Sequence, residues 1–240
     1  MRITVEQALV KGKNHEKKGN LSQARAVYTD LLDYFPNNKR VKAALAALKT
    51  QKVETARQSA IGSQESIKKL LSLYSAGQTE QVIAEGTRLT LTSTGSFELW
   101  SILGAAYKDL GKLDHAEDAF RRALSIKNIP EAHNNLGSTL LKLGKIDHAI
   151  AEFERAVIIN PSYALGYYNF GCALQEKGKL GEAISKYENA VSANPNFAEA
   201  FNKIGLIYKK DGNYEKALLT FERALALKKD YAEAQNNIGA

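Results

Sequence analysis

A pattern of about 34 residues recurs along this chain and constrains its fold more than any other feature. The pattern is clearest in the stretch Pro130–Ala164, PEAHNNLGSTLLKLGKIDHAIAEFERAVIINPSYA. Apolar residues at helical spacing form two stripes there, joined by a turn at Leu143-Gly144-Lys145. Asn160-Pro161 closes the unit, because the residue before a proline is disfavoured in helical geometry. The stretch therefore predicts an antiparallel helical hairpin.

The same small and aromatic residues return at a constant step on both sides of this hairpin. A step of about 34 residues connects three series, which are Gly137, Gly171, Gly205 and Gly239; Gly144, Gly178 and Gly212; and Phe153, Tyr187 and Phe221. One residue fewer leads back to Gly104, Gly111 and Phe120. A repeat of this length predicts an all-α solenoid, in which each hairpin packs only against its neighbours.

The segment LWSILGAAYKDLGKLDHAEDAFRRAL, residues Leu99–Leu124, resembles the tetratricopeptide repeat (TPR). The matching residues are Trp100, Leu103, Gly104, Tyr107, Gly111, Ala116, Phe120 and Ala123. The following hairpins match nearly as well. The resemblance implies a right-handed superhelical solenoid of antiparallel helical hairpins, with the first helix of each hairpin lining a concave face.

The chain is predicted to consist of complete, degenerate and incomplete repeats. The predicted segments are a TPR-like repeat at 5–38, an irregular linker or capping helix at 39–62, a degenerate repeat at 63–96, regular repeats at 97–129, 130–163, 164–197 and 198–231, and the start of a truncated repeat at 232–240. We expect the irregular helix to stop near Gly62. The incomplete last repeat leads to the hypothesis that the chain is a fragment of a longer protein.

Positive charge is concentrated near the N-terminus. Residues 1–62 contain 12 of the 33 lysines and arginines and 5 of the 26 acidic residues, so their net charge of +7 equals that of the whole chain. Such a segment suits nucleic acid, anionic lipid or an acidic protein, or is simply a solvated surface. The basic residues are spread around the predicted helix at 39–58 without interleaved aromatic residues, which disfavours nucleic acid.

The sequence also gives expectations about compartment and source. Residues 1–10 contain no apolar run long enough for a secretory signal, and no stretch approaches the ~20 apolar residues of a membrane span. A single cysteine is typical of a reducing compartment. We therefore expect a soluble cytoplasmic protein. The first fifth of the chain loosely resembles bacterial TPR proteins, several of which carry a sulfotransferase or glycosyltransferase domain downstream.

The resemblance also implies which residues face the concave groove. The predicted peptide-binding residues are Asn134, Asn135, Ser138, Tyr168, Asn169, Cys172, Asn202, Lys203, Asn236 and Asn237. Asn135, Asn169 and Asn237 share one repeat position, and a carboxamide both donates and accepts hydrogen bonds. Such a row can pair with the backbone of an extended peptide, as a similar row does in the repeats of O-linked N-acetylglucosamine transferase. Alternatively, these asparagines bond a neighbouring helix.

We therefore predict a non-catalytic scaffold that binds a peptide or protein segment in its groove. The alternative is the substrate-recruiting arm of a larger transferase whose catalytic domain lies outside this sequence. Self-association is a third interpretation. No cofactor or metal is expected: His115 and His148 are predicted to be exposed, Cys172 is interpreted as a packing residue, and no phosphate-binding loop is present.

Overall fold

The computed structural model describes residues 4–92 and 95–239, and their regular structure is entirely α-helical. The helices are α1 (Val5–Lys17), α2 (Leu21–Tyr34), α3 (Lys39–Ser75), α4 (Thr79–Thr92), α5 (Phe97–Asp109), α6 (Leu113–Ile126), α7 (Pro130–Lys142), α8 (Ile146–Ile159), α9 (Ala164–Glu176), α10 (Leu180–Ala193), α11 (Ala198–Lys210), α12 (Tyr214–Leu227) and α13 (Ala232–Gly239). None of these helices combines the length and the apolar character needed to span a bilayer.

The hairpin of α7 and α8 shows how the repeat sequence produces its local structure. Gly144 joins the two helices with φ = 73°, a backbone conformation that residues with a Cβ rarely adopt. Phe153 on α8 is fully buried, and its ring lies against Gly137 on α7, where a Cβ would come within 2.8 Å of the ring. The predicted hairpin is therefore confirmed, with its aromatic residue filling the space above the packing glycine.

The chain divides within α3 into two compact units, which we call the N-terminal unit (residues up to 68) and the C-terminal unit (residues from 69). In the N-terminal unit α1 and α2 form a hairpin, and the start of α3 packs on it. The buried core of this unit comprises Ala8, Leu9, Ala24, Tyr28, Leu31, Val41 and Leu48.

The C-terminal unit is an all-α solenoid, as predicted. Helices α5 and α6, α7 and α8, α9 and α10, and α11 and α12 form hairpins. The second helix of each hairpin also contacts the first helix of the next one. One cluster of buried side chains consequently continues from Ala116 on α6 to Ile207 on α11. The core follows the stack of hairpins and does not form a central globule.

The predicted stop near Gly62 is wrong, because α3 continues without a break from Lys39 to Ser75. A glycine inside a helix costs only about 1 kcal/mol relative to alanine. Residues 39–75 contain no proline, and alanine, lysine and glutamine are frequent among them. One unfavourable residue does not outweigh the helical preference of the residues on both sides of it.

The close contact of α9 and α10 makes Ala183 sensitive to size. Ala183 is fully buried between these helices. Ala183→Leu should lower the free energy of unfolding by about 1–3 kcal/mol, because the added atoms have no space. Lys179→Ala removes an exposed ion pair with Glu182 (2.7 Å) and should cost less than about 1 kcal/mol. Urea denaturation measures both values, and equally small losses would contradict this packing.

Candidate functional site

The first helices of successive repeats lie side by side and form one continuous surface in the C-terminal unit. Contacts between α5 and α7, α7 and α9, and α11 and α13 establish this arrangement. Some side chains of these first helices point away from the second helix of their own hairpin. We call the surface that these side chains form the inner face. All five helices run in the same direction, so side chains at one repeat position form a row across the surface.

Asparagines join neighbouring first helices directly. The side-chain amide of Asn169 donates a hydrogen bond to Oδ1 of Asn134 (2.8 Å), and Asn237 donates in the same way to Asn202 (3.1 Å). Asn134 is only 4% exposed and Asn202 is fully buried. These two pairs hold α9 against α7 and α13 against α11, as in the alternative given for the asparagines.

Asn134 and Asn202, which were predicted to line the groove, are instead buried. Adjacent residues of an α-helix point about 100° apart, so two consecutive positions cannot both face the groove fully. In these repeats the side chain of the earlier asparagine lies in the contact between two first helices. The later residue stays half-exposed, which is the case for Asn135, Asn169 and Lys203.

A half-exposed row is formed by Asn135, Asn169, Lys203 and Asn237, and part of its hydrogen-bonding capacity is free. Asn135 makes no side-chain hydrogen bond to the described residues, although its backbone carbonyl accepts one from the Thr139 hydroxyl (2.9 Å). Asn169 and Asn237 donate from their amide nitrogens to the neighbouring helix. Their Oδ1 atoms accept no hydrogen bond from the described residues and can therefore accept one from a ligand. Lys203 forms no ion pair with the described residues, so its ammonium group is available as a donor.

Tyr168 contributes an aromatic surface beside this row. Its ring lies 5.0 Å from that of Phe197 and 5.7 Å from that of Tyr187. The Tyr187 hydroxyl donates to Gln175 Oε1 (2.9 Å), and its oxygen lies 3.4 Å from Cys172 Sγ. Burial, and then the nearby Cys172, raises the pKa of both Tyr168 and Tyr187 above the ordinary tyrosine value, so both hydroxyls stay protonated at neutral pH. Cys172 packs within this cluster.

The remaining predicted residues differ in exposure. Ser138 is half-exposed on α7, where it follows Asn135 by one helical turn. Asn236 is exposed on α13. Sequence reasoning missed Lys209, whose ammonium group donates to the backbone carbonyl of Asn237 (2.8 Å). The signal was present in the spacing, because Lys209 lies two turns beyond Asn202 and therefore on the same stripe of α11, which faces α13.

Opposite charges stand at the two ends of the first helices. Glu98, Glu131 and Glu233 are exposed near the N-terminal ends, whereas Lys142 and Lys210 are exposed near the C-terminal ends. Lys108 is half-buried, and desolvation lowers its pKa, as does the nearby Lys142. Acidic residues at helix N-termini and basic residues at C-termini stabilise the helix dipoles, so these charges have a structural reason to be there.

Deprotonation of tyrosine should destabilise this region at alkaline pH. Burial, followed by the carboxylates of Glu233 and Glu199, raises the pKa of Tyr231 from the ordinary 10.0 to about 12. A folded-state pKa above the unfolded value stabilises the fold fully below pH 10.0, and the contribution is lost as the pH rises towards about 12. Thermal unfolding across this range should show a smaller decrease for Tyr231→Phe than for the wild type.

The matched control for this prediction is Tyr214→Phe, which changes a tyrosine that is 68% exposed on α12. This variant should follow the wild-type dependence of Tm on pH. If Tyr231→Phe also followed the wild-type curve, Tyr231 would not contribute to alkaline unfolding.

The histidines of the C-terminal unit differ in their surroundings. His115 and His148 are exposed, as predicted, and His115 lies against the Tyr107 ring at 5.1 Å. His133 is buried and bonds Glu152 and Asn128 within the scaffold. No group of three or more His, Cys, Asp or Glu residues within the searched part of the chain has the arrangement of a metal site.

The arrangement of hairpins, turn glycines and rows on the first helices defines an α-solenoid of the kind used for protein–protein interaction. Models of the tetratricopeptide repeat match residues 9–38, 97–129, 130–163 and 198–231, and a TPR repeat model matches 171–212. The chain belongs to the tetratricopeptide repeat family, whose right-handed superhelix makes the inner face concave. No curated protein sequence matches the chain.

Solved structures with the same fold cover most of this chain. A crystal structure of MamA is 26% identical, has a TM-score of 0.62 and covers 68% of this chain and 95% of its own. A crystal structure of YrrB, a TPR protein with an unusual peptide-binding site, is 24% identical, with a TM-score of 0.61 and coverages of 76% and 97%. MamA 41-end from Desulfovibrio magneticus RS-1 is 20% identical, with a TM-score of 0.64 and coverages of 70% and 96%. The last two show the fold alone.

Proposed function

We propose that the inner face of residues 97–239 is a non-catalytic binding site for an extended segment of a partner protein. The observation that carries this proposal is the row Asn135, Asn169, Lys203 and Asn237, which is half-exposed at one repeat position. In this row the carboxamide oxygens accept from peptide N–H groups, and Asn135 and Lys203 also donate to peptide carbonyls. Such contacts recognise the peptide backbone and depend little on its sequence.

The spacing of the row suits an extended chain. Packed helices lie about 8–10 Å apart, and an extended peptide advances about 3.3 Å per residue. A peptide crossing successive first helices would therefore meet one residue of the row about every third residue. Its intervening side chains are free to contact the neighbouring stripes of the inner face.

The neighbouring stripes differ in a way that would select among peptides. Ser138 and Cys172, one turn beyond the asparagines, are small and leave space for side chains of the bound segment. Tyr168 offers a half-exposed ring that an apolar side chain or a proline can cover. The asparagine row would thus supply general affinity, and the small residues with Tyr168 would supply preference.

This function is tested by selecting peptides from a displayed random library for binding to the immobilised full chain. Ser138→Trp places a large side chain on the inner face and should weaken the selected peptides by about tenfold or more, because it occupies the space of the bound segment. Ser185→Trp is the matched control, since Ser185 is exposed on α10, a second helix. Equal binding to the wild type and to Ser138→Trp, with unchanged Tm for both variants, would refute the proposed site.

Asn135→Ala gives a second test that leaves the helix contacts intact. The Asn135 side chain bonds none of the described residues, so its removal should not change stability. The selected peptides should bind this variant several-fold more weakly, as expected for the loss of one or two hydrogen bonds worth about 1 kcal/mol each. Unchanged affinity would show that the half-exposed row does not touch the peptide.

A further inference from the structure

The two units differ in how their basic side chains are neutralised. In the C-terminal unit many lysines and arginines have a carboxylate partner, as in the pairs Lys145–Glu117 (2.8 Å), Arg121–Glu117 (2.9 Å) and Lys228–Glu199 (3.2 Å). In the described side chains of the N-terminal unit, the ion pair is Arg40–Glu6 (3.2 Å). The positive charge of this unit is therefore largely uncompensated by its own fold.

Part of this charge lies on one well-defined surface. Gly12 faces α2, because a Cβ on it would come within 2.2 Å of the Tyr28 ring. Lys13 and Lys17 point to a different side of α1, together with Glu6, which reaches Arg40 on α3. This side of α1 therefore borders the start of α3 at the Glu6–Arg40 pair, and from there the two helices form a shared surface.

The shared surface has an apolar centre. Val10 lies between Glu6 and Lys13 on the same side of α1 and is 57% exposed. On α3, Ala43 and Ala47 follow Arg40 at helical spacing and are both exposed. We call the surface formed by Val10, Lys13 and Lys17 on α1 and by Ala43 and Ala47 on α3 the lysine face.

The described acidic side chains of α1 and α2 do not neutralise this surface. Glu6 is paired with Arg40, and Glu16 accepts a hydrogen bond from the Tyr28 hydroxyl (2.6 Å). Asp30 and Asp33 belong to α2, outside the lysine face. Lys13 and Lys17 have no ion-pair partner among the described side chains, so their charges are available to another molecule.

We propose that the lysine face binds an acidic amphipathic helix of a partner protein, separately from the peptide site on the inner face. Aliphatic side chains of such a helix would cover Val10, Ala43 and Ala47, and its carboxylates would meet Lys13 and Lys17. The two alanines allow a helix to approach closely. Nucleic acid or lipid headgroups would satisfy the lysines but leave the apolar centre exposed to water, so an amphipathic protein segment matches the surface better.

The probe is a fluorescent synthetic peptide, helical and amphipathic, with leucines along one side and glutamates flanking them. It is titrated into the full chain. Lys13→Glu/Lys17→Glu should weaken binding by about tenfold or more, since both contacts become repulsive. Lys11→Glu/Lys18→Glu makes the same charge change on the other side of α1 and should weaken binding less than about threefold. Equal weakening by the two variants would refute the lysine face as the site.

Two further measurements distinguish this partner from other anionic ligands. Val10→Ser keeps every charge and should still weaken the peptide several-fold, because the apolar centre loses contact area. Single-stranded DNA and phosphatidylserine vesicles should bind more weakly than the peptide at physiological salt and should be unaffected by Val10→Ser. Tighter binding of either one, or no binding of the peptide to the wild type, would overturn the proposal.

Discussion

Replacing His133 by alanine should lower the free energy of unfolding by about 3 kcal/mol, because it breaks a buried hydrogen-bonded cluster and leaves a cavity. His133 and Glu152 are 7% and 6% exposed. One ring nitrogen of His133 lies 2.6 Å from Glu152 Oε2, and the other lies 2.6 Å from Asn128 Oδ1. The variant leaves a cavity and removes one of the two partners of the Glu152 carboxylate, whose other partner is Arg155 (2.6 Å).

Equilibrium unfolding in urea measures this loss, and two variants separate its causes. His148→Ala removes an exposed histidine from α8 and should change stability by less than about 0.5 kcal/mol. His133→Phe with Glu152→Leu replaces both buried polar partners by apolar side chains, and should recover much of the stability lost by His133→Ala. A loss below about 1 kcal/mol for His133→Ala would contradict the buried cluster.

The repeat made the fold predictable, because several independent residues in each copy have to satisfy the same geometry. A turn glycine such as Gly144, a packing glycine such as Gly137 and an aromatic residue such as Phe153 each predict one contact of the hairpin. The length of α3 was not predictable in the same way. Gly62 favours a helix end, but residues on both sides favour helix, and local preference alone does not decide between them.

For the candidate site, the sequence predicted which face of each first helix is involved, but it did not predict which residue of that face is exposed. The sequence places Asn134 and Asn135 next to each other, and the contact between α7 and α9 decides which of them is buried. That decision depends on how closely two first helices approach, which is a property of tertiary packing. For the same reason His133, at the position of Trp100 in the preceding repeat, gave no sign in the sequence that it would find Glu152.

The other large effect is expected at Gly171, where α9 packs against α10. A Cβ at this position would lie 2.6 Å from Cε1 of Tyr187, a fully buried side chain. The ring cannot move aside freely, because its hydroxyl donates to Gln175 Oε1 across α9. Gly171→Leu should therefore lower the free energy of unfolding by about 3 kcal/mol or more through overpacking.

Gly181→Leu is the matched control, since Gly181 is helical and exposed on α10 and a Cβ there would meet nothing within 4 Å. That variant should be neutral or stabilising by up to about 1 kcal/mol, because leucine favours helix more than glycine does. Hydrogen exchange of Gly171→Leu should show the largest loss of protection in α9 and α10, since each repeat packs only on its neighbours. Equal stability of the two variants would contradict the contact between Gly171 and Tyr187 on which this part of the solenoid depends.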